Sequence, residues 1–169
     1  KINENIYKSF SKMYDLKVFT LRLFSIYGKG FKKQLLWDAC KKINNSNESK
    51  IEFWGTGYEE RDWLNINDLC LLIYKLMLNE GLLFEKSKYQ IYNCGTGITS
   101  SVKYILNQIK LYFKYDGEIV FNNIAPKGDP KYLKANILKL SKLNWFPLLD
   151  IDNGLIDYCN WFEEFYDEK

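Results

Sequence analysis

A chain of 169 residues is about one domain long and can bury roughly 70% of the surface its unfolded form exposes. Hydrophobic residues make up 47% and aromatics 17%, enough for a packed core, which excludes a disordered chain. A net charge of +3, with lysines interleaved among Asp and Glu, excludes a clustered basic footprint for nucleic acid, and no run of 18 apolar residues is present to cross a membrane.

The chain opens at Lys1, without methionine and already inside a helical pattern. Ile2, Ile6, Phe10 and Met13 recur at spacings of four, four and three, an apolar stripe on a helix over about 2–14. A start in mid-helix without a cap reads as a cut chain. Lys17 to Phe24 is a continuous β-prone run, stopped by Tyr27-Gly28-Lys29-Gly30. A helix over 33–43 puts Leu36, Cys40 and Ile43 on one face; a polar loop over 44–50 and a strand over 51–54 follow. Asp68 is placed to cap a helix carrying Leu69, Leu72, Ile73 and Leu76, which Gly81 ends. Tyr89 to Cys94 reads as a buried strand. Thr99 or Ser100 then caps an amphipathic helix through Val102, Ile105, Leu106, Ile109 and Phe113. A short strand over 119–122 and a turn over 126–130 lead to two closing helices, near 136–143 and from Asp152 to about Tyr166. The last turns Leu155, Cys159, Phe162 and Tyr166 inward. Strands alternating with helices predict an α/β fold with a parallel component.

Two absences bound the chemistry. Without histidine the sequence lacks the commonest metal ligand and the commonest general base, and no metal site is expected. Cys40, Cys70, Cys94 and Cys159 are far apart, form no CxxC pair and each sit in an apolar run. Reduced core thiols and a cytoplasmic location are the expectation.

The segment from Gly55 to Asp68 carries the most information. A β-rich run (Ile51, Phe53, Trp54) ends in Gly55-Thr56-Gly57, where a backbone without Cβ atoms lets a ligand approach closely. Arg61 follows beside Asp62, and a guanidinium can offer a phosphate two parallel donors. In order and spacing this segment resembles the Gly-x-Gly-x-x-x-Arg-Asp-(Phe/Trp) signature of the NAD-dependent nucleotide-sugar epimerase/dehydratase family, the extended short-chain dehydrogenases. Other segments resemble that family in the same order. Thr20 to Gly30 is similar to its Leu-Arg-x-Phe-Asn-x-Tyr-Gly-x-Gly stretch, with Ser25 in place of the asparagine. Tyr92 to Gly97 followed by Ser101-Val102 is similar to its Tyr-Asn-x-Gly-x-Gly…Ser-Val segment. Lys127-Gly128-Asp129-Pro130 is similar to its Gly-Asp turn, and Ala135 to Lys139 with Leu143 to Pro147 to its ending.

The resemblance implies the C-terminal part of a Rossmann-type parallel sheet plus a small mixed α/β substrate-binding domain. Residues 1–24 and about 66–94 would belong to the cofactor domain, and about 25–65 and 95–169 mainly to the nucleotide-sugar domain. Arg61, Ser25, Tyr27, Gly55, Gly57, Lys127, Gly128 and Asp129 would hold an NDP-hexose (a UDP- or dTDP-sugar), and Leu23 and Phe24 would meet the nicotinamide. In the family a catalytic Tyr-x-x-x-Lys opens a helix, and Glu4 fits the glutamate that follows if that lysine precedes Lys1. NAD or NADP in the intact enzyme oxidises a sugar hydroxyl, and the keto-sugar is returned epimerised or loses water. This chain has neither the Tyr-x-x-x-Lys pair nor a Gly-x-x-Gly-x-x-Gly pyrophosphate cradle, so the fragment alone is expected to bind no cofactor and to have no catalytic residue of its own. Its expected partners are a nucleotide-sugar, the missing N-terminal half and a second copy in a homodimer.

Plainer readings of the same residues stay open in the sequence. Arg61 can be a surface ion pair with Glu59 or Glu60, Gly55 and Gly57 a simple turn, Ser25 a strand-end polar residue, Tyr27 core filler and Lys127 a solvated lysine. For the whole chain the alternatives are a non-catalytic remnant or binding module, or an NADPH-dependent keto-sugar reductase. The strands at 17–24 and 89–94, lacking neighbours, would show open edges, so marginal stability is expected.

Overall fold

Short parallel strand pairs, rather than one continuous sheet, organise the chain. A computed structural model describes residues 2–124 and 128–167, the side chains of Leu82 and Asp167 apart. Its elements are α1 (Ile2–Met13), β1 (Val18–Leu23), β2 (Ser25–Tyr27), α2 (Gln34–Ile43), β3 (Lys50–Phe53), β4 (Glu60–Arg61), β5 (Trp63–Asn65), α3 (Ile66–Leu78), α4 (Glu80–Leu83), β6 (Tyr89–Cys94), β7 (Ser100–Ser101), α5 (Val102–Tyr112), β8 (Glu118–Phe121), β9 (Tyr132–Leu133), α6 (Leu138–Ser141) and α7 (Ile151–Asp167). β1 pairs with β6, β2 with β5 and β3 with β8, all parallel, while β4 lies between antiparallel β7 and parallel β9. The α/β architecture with parallel sheets is the one the alternation of elements predicts.

Two apolar cores form. Leu36, Ala39, Cys40 and Ile43 of α2 pack with Ile105, Leu106 and Ile109 of α5, Leu155, Cys159 and Phe162 of α7, and Ile51 and Phe53 of β3. Leu69, Leu72 and Leu76 of α3 pack with Tyr92 and Cys94 of β6 and with Leu140 and Trp145. Both follow the 3.6-residue spacing of their helices.

Several expectations are corrected. Asn65, not Asp68, caps α3, its side-chain oxygen accepting from the Asn67 N–H at 2.9 Å. Asp68 reaches across instead and accepts from the N–H groups of Leu148 (3.0 Å) and Leu149 (3.2 Å). Gly81 does not end α3; Asn79 does, and Gly81 lies inside α4. Ser101, rather than Thr99 or Ser100, caps α5, its hydroxyl accepting from the Tyr104 N–H at 3.2 Å, while Thr99 donates to Glu60. The helix near 136–143 shrinks to the four residues of α6. Cys70 is exposed while the other three cysteines are buried thiols, and Tyr166 lies outside, stacked on Phe162.

The stripe on α1 forms but covers nothing: Ile2, Ile6, Phe10 and Met13 are all exposed, and Ser11 is the buried residue of the helix. The outer edge of β6 is screened by the α6 segment, where Lys139 Nζ donates to the Ile91 carbonyl at 2.9 Å. β1 has no strand on its other side among the described residues. Among these residues no helix is long and apolar enough to cross a membrane.

Candidate functional site

A cavity of about 330 Å³ opens where β2, the end of β3, β4 and the start of α2 converge. Its lining includes five of the residues singled out in the sequence, Ser25, Tyr27, Gly55, Arg61 and Asp129, brought from four separate stretches of chain. It also includes residues that sequence reasoning did not assign to a site: Trp54, Trp63, Phe31, Gln34 and Glu59. Gly57, Gly128, Leu23 and Phe24 do not line it, and Lys127 lies outside the described residues. Leu23 and Phe24 stand at the C-terminal end of β1, with Leu23 exposed.

Arg61 is held in the cavity wall by two bonds. Nη1 donates to the Glu60 carbonyl at 2.9 Å and Nη2 to Asp129 Oδ1 at 2.8 Å. Only 12% of its side chain is exposed, against 41% for Asp129. The partner is therefore neither the Glu59 nor the Glu60 side chain but Asp129, another of the residues expected to hold the nucleotide-sugar. Two of the five guanidinium N–H groups are engaged in these bonds.

Glu59 explains the Gly-Thr-Gly turn. Its buried carboxylate accepts from the Thr56 N–H, the Thr56 hydroxyl and the Gly57 N–H, each at 2.9 Å. Burial by itself pushes this carboxyl up, but the backbone and hydroxyl donors outweigh it and hold it below its ordinary value. Gly55 (φ +90°) must be bare because a Cβ would lie 3.0 Å from Glu59 Oε1, and a Cβ on Gly57 would lie 2.6 Å from the Phe121 ring. The Gly57 N–H is thus spent inside the loop, while Gly55 faces the cavity.

Asp62 is the hub behind Arg61. Fully buried, it accepts from Thr96 N–H (2.6 Å), Thr96 Oγ1 (2.8 Å), Gly97 N–H (2.9 Å) and Ala135 N–H (3.0 Å). The Arg-Asp pair therefore divides its labour: one side chain faces the cavity and the other ties the Thr96-Gly97 turn and the Ala135 segment beneath it. Gly95-Thr96-Gly97 is a strand-to-helix turn built on this carboxylate.

Tyr27 is 1% exposed, edge-on to Trp63 at 6.4 Å, and burial pushes its phenol up to about 12. Among the described residues the Trp63 indole N–H is buried without an acceptor. α2 enters the cavity through Lys33, whose side chain makes no cap bond, and Gln34 at φ +63°. On the far side of β1, Arg22 grips Glu4 of α1 with two bonds of 2.6 and 2.7 Å. Among the described residues no cluster of acidic residues or cysteines could hold a metal ion.

The family model for the NAD dependent epimerase/dehydratase family matches residues 2–95, more than half of the sequence. The chain belongs to that family. Among curated relatives, a putative GDP-L-fucose synthase 2 from Arabidopsis thaliana is 28% identical over 123 residues, covering 73% of this chain and 35% of the relative. A putative UDP-glucose 4-epimerase from Methanocaldococcus jannaschii is 25% identical over 167 residues, covering 96% and 51%. Among solved structures, a UDP-glucose 4-epimerase with UDP-glucose from Thermotoga maritima superposes with a TM-score of 0.81 at 22% identity, covering 96% of this chain and 51% of that one. A UDP-glucuronic acid 4-epimerase from Bacillus cereus, in complex with a UDP-sugar analogue and NAD, gives 0.80 at 20% identity, covering 96% and 50%. At these identities the structures show the shared fold. The chain spans about a third to a half of the length of the relatives it matches.

Proposed function

We propose that this chain is the nucleotide-sugar-binding half of an epimerase/dehydratase-family enzyme. The observation that carries the reading is the convergence of Arg61, Ser25, Tyr27, Gly55 and Asp129 on one cavity. Arg61 holds the diphosphate, a charge-assisted contact worth about 1.5–3 kcal/mol, with Asp129 setting its direction and Ser25 supplying a hydroxyl. In this reading Lys127 and Gly128, the sequence neighbours of Asp129, also serve the nucleotide, and Gly57 shapes the loop under Gly55. Trp54 and Phe31 at the mouth offer aromatic faces for the nucleoside. Holding the nucleotide positions the sugar without touching the bonds that react.

In this reading residues 1–24 and about 66–94 are the cofactor-domain portion and the remainder is mainly the sugar-nucleotide portion, in a cytoplasmic isomerase or lyase. Two separate apolar cores support a division of this kind, one on β6 and α3 and one on α2, α5 and α7, with Leu64, Leu140 and Trp145 reaching from the second portion into the first core. The residues present do not fit a whole dinucleotide. Such a ligand lies in a crevice where strand order reverses, and β1 and β6 alone form no such crevice. No step through the cofactor is therefore assigned to this chain; Leu23 and Phe24 at the end of β1 are its contribution to that site.

The names of the relatives include both GDP- and UDP-linked sugars, so titration has to choose the nucleotide. Isothermal titration of the chain with UDP-glucose, dTDP-glucose and GDP, each against Arg61→Ala, tests the reading. Saturable binding that falls at least tenfold in the variant supports it. Absence of binding by the unaltered chain favours a non-catalytic remnant.

A further inference from the structure

Glycine is disfavoured in a helix relative to alanine, because it loses more conformational freedom on folding and packs no side chain. Gly154 nevertheless stands buried at the fourth position of α7, in ordinary helical geometry, with its N–H donated to the Asp150 carbonyl at 3.0 Å. Conformational freedom is not the reason for it, since its φ is not positive. The reason lies in what faces it. A Cβ built on Gly154 would land on the hydroxyl oxygen of Tyr27, 2.8 Å from Cζ and 3.1 Å from Cε2 of the same ring. All three of the nearest atoms belong to Tyr27, so the bare Cα is a seat for that one side chain.

Tyr27 in turn is cavity wall. It lies on β2, two residues from Ser25, and packs edge-on against Trp63. The phenol has little freedom to move aside: it is 1% exposed. We infer that Gly154 is a positioning residue of the cavity, its missing side chain fixing the depth at which the Tyr27 ring stands and so linking the C-terminal helix to the shape of the site. The link to ligand binding rests on the nucleotide-sugar reading above; the seat itself does not.

The test is a double-variant cycle on the 169-residue chain: Gly154→Ala and Tyr27→Phe, separately and together. Thermal unfolding and titration with UDP-glucose, dTDP-glucose and GDP are the readouts. Alanine at a helical glycine ordinarily raises Tm; here Gly154→Ala is expected to lower it and to weaken nucleotide affinity at least tenfold. In the Tyr27→Phe background, where the oxygen under the new Cβ is gone and the 2.8 Å approach to Cζ remains, the same change is expected to cost several-fold less than in the unaltered chain and to recover part of the Tm. Should Gly154→Ala alone fail to fold, a folded double variant supports the seat as directly. Equal losses in both backgrounds, or no loss in either, overturn the inference. If the unaltered chain binds none of the three nucleotides, the functional reading fails, while the Tm cycle still decides the seat.

Discussion

Arg61 Nη2 and Asp129 Oδ1 meet at 2.8 Å, joining β4 to a turn far along the chain. In the proposed reading, the cation that meets the diphosphate is aimed by a carboxylate that is itself half in solvent. The two side chains should behave as one unit. Asp129→Ala is expected to weaken nucleotide affinity less than Arg61→Ala, and the double variant to match Arg61→Ala within about 0.5 kcal/mol, because Asp129 acts through the guanidinium. Arg61→Lys should recover little, since an ammonium cannot supply parallel donors. Titration of the four proteins decides this.

Asp62 carries stability rather than binding. Removing its carboxylate leaves the Thr96, Gly97 and Ala135 N–H groups without an acceptor. Asp62→Ala should cost about 3 kcal/mol in urea unfolding, on the order expected when buried donors to a charged acceptor are orphaned.

Glu59 gives a pH signature. Its carboxyl is held below the ordinary value of 4.5 in the folded chain. A depressed folded value means stabilisation that is full above 4.5 and is lost as pH falls from there through the folded value. Glu59→Gln should be less stable than the unaltered chain at pH 7, and the gap should close over that acid window. A gap constant with pH would contradict the assignment.

These carboxylates also mark where the sequence was legible and where it was not. β6 was readable in full from Tyr89 to Cys94, and α2 from the spacing of Leu36, Cys40 and Ile43, because local periodicity encodes which face is buried. The cap of α3 was not: Asn65 and Asp68 are both good capping residues, and only the approach of Leu148 and Leu149 decides which of them is free to cap. The role of Asp62 depends on a partner as distant as Ala135, and that of Glu59 on how the Gly-Thr-Gly turn folds Thr56 and Gly57 back onto it. Trp54 and Phe31 carried no motif signal at all; their exposed rings became site candidates only when the cavity brought them beside Arg61. α1 misled in the opposite sense, since a well-formed apolar stripe does not say whether anything covers it.

The exposed stripe and the one-sided sheet make a prediction about dynamics. Among the described residues β1 and β6 form a two-stranded sheet with the β1 edge unpaired, whereas β3 and β8 lie on a core sealed by three helices. Native-state hydrogen exchange should be faster in β1 and β6 than in β3 and β8, reporting local opening below the global unfolding energy. Strong protection in both β1 and β6 would sink the expectation of marginal stability in this part of the chain.

Where a nucleotide-sugar binds on the chain can be read directly from amide and Arg Nε chemical shifts recorded while UDP-glucose, dTDP-glucose or GDP is added. Shifts concentrated at Ser25, Tyr27, Gly55, Arg61 and Asp129, with the Arg61 Nε signal moving most, are the result expected of a diphosphate in this cavity. Saturable binding with those signals unmoved would contradict the assignment of the site.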